Sequence, residues 1–288
     1  MEFGNLSEAA IRLTMFGAIF ASMALLELFL PRLQRPELTG SLKRRRWFTN
    51  LSMVVLSTVV LRIIMPGAAV AWAIWSEANS FGLFHRFGID PLIAGIIAFV
   101  ALDFAVWFEH LVSHKLPILW RIHRMHHSDA GFDVTTALRF HPFEIVLSMV
   151  WKAAIVLVLG APVLSVLIFE IVLNGSAMFN HSNYKLPKRV DRFLRMVLVT
   201  PDMHRVHHST DPRETDTNYG FNFPFWDRLF GTYCAQPRLG HQDMNIGLSE
   251  YAGADTGNLA WALAVPFKPT STRRPANKAG GMDDTAAG

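Results

Sequence analysis

The chain has 288 residues, 51% of them apolar and only 17% charged, with a mean hydropathy of +0.26; a soluble domain carries about a quarter charged residues, so the composition points to a membrane protein. A single cysteine, Cys234, excludes a disulfide framework and any four-cysteine zinc or iron–sulfur site. The net charge of +4 reads as basic loops against anionic lipid rather than as a nucleic-acid surface.

Taken in chain order, the first apolar run extends from Ala9 to Leu30 and stops at Pro31, enough helix for a bilayer core of roughly 30 Å. Glu2 and Glu8 stand where a signal peptide would be basic, and the run ends in "LELFLPRLQRP", so it reads as a retained anchor. After "SLKRRRW" a second run starts near Phe48, carries Arg62 and is broken by Pro66-Gly67, which predicts a kinked span. A third runs from Pro91 to about Phe108. Two shorter runs, Ile145 to Leu159 and Val163 to Phe179, flank "GAP" and read as a hairpin. The expected fold is therefore all-α: an integral membrane bundle of four to five spans, the last two a hairpin, under a helical cap that carries the histidine motifs. Basic loops mark the cytoplasmic side, so the "KRRR" loop and the count of crossings place the cap there. Arg121, Arg124, Arg139, Lys185, Lys188 and Arg189 agree. The expected organisation is anchor spans over 1–90, a histidine-bearing segment over 91–240 and an extension over 241–267. A polar, disordered tail over 268–288 follows, with no receptor-read retention signal, which favours a bacterial inner membrane over the ER.

The sequence "HRMHHS" (His123–Ser128) returns as "HRVHHS" (His204–Ser209). On a helix, residues three and four apart share a face. His110 and His114 then stand together at the end of the third span. His123 faces His126 and His127, and His204 faces His207 and His208, so each hexapeptide presents up to three imidazoles to one point. A lone histidine is a packing or surface residue, the reading given to His85 and His241. Eight clustered imidazoles, neutral near pH 7, are neither packing nor a charge patch; they predict metal. One structural zinc would use four and leave the rest idle, so eight predict two metals close together. Imidazole itself does not choose among zinc, iron, copper and nickel.

The order "HLVSH", "HRMHH", "HRVHH", with "LWRIHRMHHSD", "RFHPFE", "NHSN", "TPDMHRVHHS" and "NYGFNFPFWDRLFGTY" around it, resembles the fatty acid hydroxylase/sterol desaturase superfamily of membrane di-iron oxygenases. The resemblance covers Asp103 to Tyr233. It implies two iron ions (zinc can replace them in purified protein) held by His110, His114, His123, His126, His127, His204, His207 and His208, which activate O2 to hydroxylate or desaturate a lipid C–H bond. The site would have no catalytic group beyond the metals. His181 in "FNHSN" resembles a further ligand position. Related members carry another ligand one turn earlier, where this chain has Ala177. His141 in "RFHPFE" is a further candidate ligand, with helix capping as the alternative.

Charges inside a membrane are costly and mark function. Asp103 lies two turns before His110 and is expected to accept a hydrogen bond from a ligating imidazole. Glu170 and Asn174 share an inward stripe with His181. Glu109 and Glu144 read as helix-end charges, and the aromatic "NYGFNFPFWDRLFGTY" as the closure of the cap. No nucleotide loop, iron–sulfur set or haem signature is present, so an external reductase, ferredoxin or cytochrome b5 type of donor is expected on the basic face. Sterol-like, hopanoid-like, fatty acyl, carotenoid and ether lipids all suit a membrane-side pocket. The rival readings are a zinc-dependent interfacial lipid hydrolase, which would need a carboxylate base at the metal, and a metal transporter, whose histidines would run along a transmembrane path.

Overall fold

The computed structural model describes residues 2–3 and 6–269; beyond Pro269 the expected tail lies outside the described residues. Apart from a two-residue pairing of Glu2–Phe3 with Leu6–Ser7, the regular elements are helices. The long ones are α1 (Glu8–Phe29), α2 (Gly40–Ile64), α3 (Ala68–Ala78), α4 (Pro91–Lys115), α5 (Pro117–His127), α6 (Pro142–Leu159) and α7 (Val163–Asn180). Shorter ones follow: α8 (Lys188–Leu194), α9 (Pro201–His207), α10 (Phe225–Leu229) and α11 (Leu259–Ala264). Prolines set many of the starts, where the missing N–H costs nothing. Asp90 caps α4 by accepting from Leu92 N at 2.9 Å and Ile93 N at 3.2 Å, with Pro91 next in line.

Five segments are long and apolar enough to cross a membrane: α1, the broken α2–α3 unit, α4, α6 and α7. α3 and α4 each pack against both α6 and α7, while α1 lies on α7 and α2 on α6. The interior is built on Ala69, Ala73, Ala94 and Ala98, filled by Leu102, Met149, Val156 and Phe169. Small residues let apolar helices approach closely. Outside, Leu13, Ile63 and Leu92 are 72%, 76% and 73% exposed, a surface suited to hydrocarbon rather than water. The α6–α7 turn is fixed from outside the pair. Gly160 ends α6 at φ +70° and Gly82 sits at φ +106°; a Cβ on Gly82 would fall 2.3 Å from Gly160 N. Two glycines are therefore needed where the loop after α3 crosses this turn.

The α2–α3 break falls at Pro66-Gly67, as expected, but α2 starts at Gly40 rather than near Phe48. Its first half packs on the histidine-bearing end of the bundle. Arg46 donates to both Asp129 oxygens at 2.6 and 2.7 Å and to Asp133 at 3.0 Å. Burial alone would raise the Asp129 carboxyl, but Arg46 outweighs it and holds the group at about 2. Arg139 donates to Asn50 at 2.9 Å, and Ser57 reaches Phe140 O at 3.1 Å.

Arg46, Arg124 and Arg139 are thus buried, not spread over a basic face. Their weight as markers of sidedness falls to exposed neighbours such as Arg44, Arg45, Lys185, Lys188 and Arg189.

The same end is tied together by α1 and by the C-terminal extension. The Glu27 carboxylate, near the end of α1, accepts from Val134 N and Asn183 N, both at 2.6 Å. The extension wraps back over α5: Arg124 donates to Val265 O at 2.8 Å, and Met125 packs with Met53, Ala262 and Val265.

Candidate metal centre

α4, α5, α7 and α9 end or begin at one end of the bundle and deliver nine buried histidines there. They form two groups. His110, His114, His123, His127 and His207 make one; His126, His181, His204 and His208 make the other. Within each group, one nitrogen per ring lies within 4.8 Å of every other.

The division does not follow the hexapeptides. In each, the histidines four apart go to one group and the middle one crosses to the other. His123 and His127 join the five-membered group while His126 leaves it; His204 and His208 join the four-membered group while His207 leaves it. Each hexapeptide therefore serves both groups, not one point. The cause is helical: residues i and i+4 lie one above the other, and i+3 is rotated off that line. The pairs His110/His114 and His123/His127 give the first group two such rungs. The second has His204/His208 and half a rung, His181. Ala177, four residues earlier, is where the other half would stand, and its carbonyl accepts from His181 Nδ1 at 2.8 Å.

The ring nitrogens show what the groups fit. His110 Nδ1 donates to Tyr219 O and His207 Nδ1 to Thr217 O, each at 2.7 Å. A neutral imidazole that donates from Nδ1 has only a lone pair on Nε2. Yet His110 Nε2 and His207 Nε2 face each other at 3.0 Å. In the second group His181 Nε2 stands 3.1 Å from both His126 Nε2 and His204 Nε2. His126 Nδ1 is 3.3 Å from Arg139 O. Lone pairs at that distance repel unless a cation lies between them. Protons do not fill the role: burial first, and the neighbouring imidazoles after it, push His126, His127, His204, His207 and His208 well below the ordinary range. Burial takes His181 to about 3. Both nitrogens of His208 are buried without a hydrogen-bond partner among the described residues. The chemistry of the donor set fits two metal ions, one per group.

Behind the rings, His123 Nδ1 lies 2.5 Å from Glu144 Oε1 and His114 Nδ1 3.3 Å from Asp216 Oδ1. Carboxylates at the far nitrogen fix tautomer and ring orientation. Neither was legible in the sequence: Glu144 looked like a helix-end charge and Asp216 drew no notice, because each acts across 21 or more residues.

The residues expected to do this work stand elsewhere. Asp103 accepts from Trp226 Nε1 at 2.7 Å. Glu170 pairs with Arg12 at 2.5 Å, and the Asn174 amide returns to Glu170 O. His141 belongs to neither group; it caps α6, with Nδ1 3.2 Å from Phe143 N. His241 is buried near Asp202, apart from both groups, and His85 is at the surface.

Beside the five-histidine group, a cavity of about 220 Å³ opens between α4, α5 and α6. Phe108, Val112, Leu119, Ile122, Leu147 and Trp151 line it, and Glu144, the partner of His123, forms part of its wall together with Glu109.

This fold and this site define a class: a helical protein with five segments able to cross a membrane and two buried histidine clusters, each able to hold a metal ion, at one end of its bundle. Residues 95–232, which include all nine histidines, match the fatty acid hydroxylase family model. The chain is similar to that family through this segment, which is 138 of its 288 residues. It is 26% identical to ornithine lipid hydroxylase OlsE of Rhizobium tropici over 89% of this chain and 77% of that protein. It is 26% identical to the alkylglycerol monooxygenase of Homo sapiens over 75% of this chain but only 46% of the relative. Similarity to cholesterol 25-hydroxylase of Rattus norvegicus is 24% over 49% of this chain and 47% of that one. No solved structure matches.

Proposed function

We propose that the chain is a membrane-bound, O2-dependent lipid hydroxylase whose nine clustered histidines hold two iron ions. The observation that carries this reading is the facing of bare Nε2 lone pairs in both groups, His110 against His207 at 3.0 Å and His126 against His181 at 3.1 Å. The bound irons supply the chemistry, activation of O2 with electrons from outside; the protein supplies ligands, orientation and a dry pocket.

Each residue then has a task. Tyr219 O, Thr217 O, Glu144 and Asp216 accept hydrogen bonds from the Nδ1–H groups and so leave Nε2 free to face the ion. The four-histidine group has one protein donor fewer than its neighbour, with Ala177 standing one turn before His181. The apolar cavity holds a hydrocarbon segment of a bilayer lipid beside the five-histidine group. Asp216, 28% exposed and 3.1 Å from Lys115 Nζ, connects His114 to the surface and marks the side for an external electron donor. Relatives named for an ornithine lipid, alkylglycerols and cholesterol support a lipid as the substrate class and hydroxylation, rather than desaturation, as the reaction. The membrane is a bacterial inner membrane and the centre faces the cytoplasm.

The test is lipid analysis of cells with and without the gene, grown under ¹⁸O2. A lipid that gains one ¹⁸O atom only when the chain is present supports the reading. A hydrolysed lipid with no label from O2 would replace it by the zinc hydrolase.

A further inference from the structure

The surface over α8 and α10 has no part in the metal centre. α8 and the turn after it read "KRVDRFLRMVLV". Val190, Phe193 and Val197 follow one helical face and, with Met196, are 43–66% exposed. Lys188, Arg189 and Arg192 occupy the adjoining flank, all exposed, and none forms an ion pair among the described residues. The inward side is polar: Asp191 pairs with Arg195 and accepts from Thr200 Oγ1 at 2.6 Å. α10 adds Phe225, Leu229 and the following Phe230, exposed at 39%, 67% and 52%. Arg228 joins the two pieces by donating to Arg195 O at 2.8 Å.

A water-facing cap would not leave seven large apolar side chains together beside free cations. The depth of the patch is set by α4. Phe230 stacks on Trp107 at 4.8 Å, Trp226 lies 4.8 Å from Phe104, Trp226 Nε1 donates to Asp103, and Trp107 Nε1 donates to Asp227. These α4 residues lie within a membrane-crossing segment, so α10 is level with the outer part of that span rather than above it. The expected closure of the cap by "NYGFNFPFWDRLFGTY" is thus also a descent along α4.

We infer that α8 and α10 form an in-plane lip that inserts into the membrane interface, with Phe193, Val197, Leu229 and Phe230 among the acyl chains and Lys188, Arg189 and Arg192 on anionic phospholipid headgroups. An amphipathic element with a basic flank lies in the interface for this reason. Charge complementarity and continuity with α4 select the bilayer as occupant over a second copy of the chain or a soluble protein. The inference does not depend on the proposed reaction.

The test uses the full chain in nanodiscs, with Cys234→Ser and single spin labels at Phe193→Cys, Leu229→Cys and, as a control, Arg238→Cys. The first two labels are expected to be open to oxygen and shielded from a water-soluble nickel complex, and the control the reverse. Retention of phosphatidylglycerol against phosphatidylcholine, read by native mass spectrometry, is expected to fall more than ten-fold in Lys188→Gln/Arg189→Gln/Arg192→Gln, since each cation near an anionic surface contributes about five-fold. Nickel-accessible labels at 193 and 229 would overturn the inference. So would shielding that disappears when nanodiscs hold one chain each, which would assign the face to a second copy, or unchanged phosphatidylglycerol retention in the triple variant.

Discussion

Glu144 and Asp103 show how far single residues can be read. Asp103 was the natural partner for an imidazole, a buried carboxylate two turns from His110 on the same helix, but its partner is Trp226. Glu144 opens α6 and looked like an ordinary helix-end charge, but it meets His123 across an interface between elements. The eight motif histidines were legible because their spacing is local and helical. His181 needed the resemblance, since nothing within its own segment pairs with it. Arg124, which reads as one of the basic residues marking the cytoplasmic side, is buried and holds the extension; Arg205, its counterpart in the second hexapeptide, is also buried and reaches Ser182 O at 3.3 Å. Glu144→Gln is expected to weaken metal binding by about 10–100-fold, the usual effect of losing the partner of a ligating imidazole. Asp103→Asn is expected to leave metal affinity unchanged and cost roughly 1–2 kcal/mol of stability, from the weakened Trp226 bond. Metal titration and thermal unfolding of both variants check the pair; a metal defect in Asp103→Asn alone would return that role to Asp103.

Among elements, α2 departs most from its sequence reading. The apolar run that begins near Phe48 was taken as membrane, yet the helix through Asn50 and Met53 packs on the histidine end. Hydropathy cannot distinguish a helix half buried in protein from one buried in lipid, because both surroundings are apolar. What fixes α2 is Arg46 on Asp129 and Asp133. Asp129→Asn removes the two-pronged partner of a buried guanidinium and leaves Arg46 with Asp133 alone, so it is expected to destabilise by about 3 kcal/mol at neutral pH. Asp129 titrates at about 2 in the folded chain against an ordinary 3.8. A depressed carboxylate stabilises fully above its unfolded value and loses that contribution as pH falls through the folded one. The wild-type advantage over Asp129→Asn should therefore hold above about pH 4 and shrink by roughly 2 kcal/mol as pH drops through 2. Unfolding of both proteins across that range checks it; a difference independent of pH would remove the ionised carboxylate from the account.

On the scale of the whole molecule, the number of apolar segments and the kink in the second were legible, because span length and proline chemistry are local. The packing order was not: α3 and α4 each contact both helices of the expected hairpin, and the Gly82–Gly160 crossing that fixes its turn joins residues 78 apart in sequence. Sidedness rests on the exposed basic residues at the histidine end. With Cys234→Ser as background, Arg213→Cys at that end is expected to react with a membrane-impermeant thiol reagent only from the cytoplasm, and Asn79→Cys at the other end only from outside. Reaction of position 213 from outside would invert the arrangement.

The central claim is that the two hexapeptides exchange their middle histidines to build two metal sites, one of five imidazoles and one of four. Metal content of anaerobically purified protein, measured beside His126→Ala and His207→Ala, tests it most directly. The account predicts about two iron ions per chain, falling to about one in each single variant and to none in the double variant, because each histidine serves a different ion. If each hexapeptide instead held an ion of its own, His204→Ala and His207→Ala would empty the same site and their combination would lose one ion only. An intact ion in that double variant would contradict the exchange.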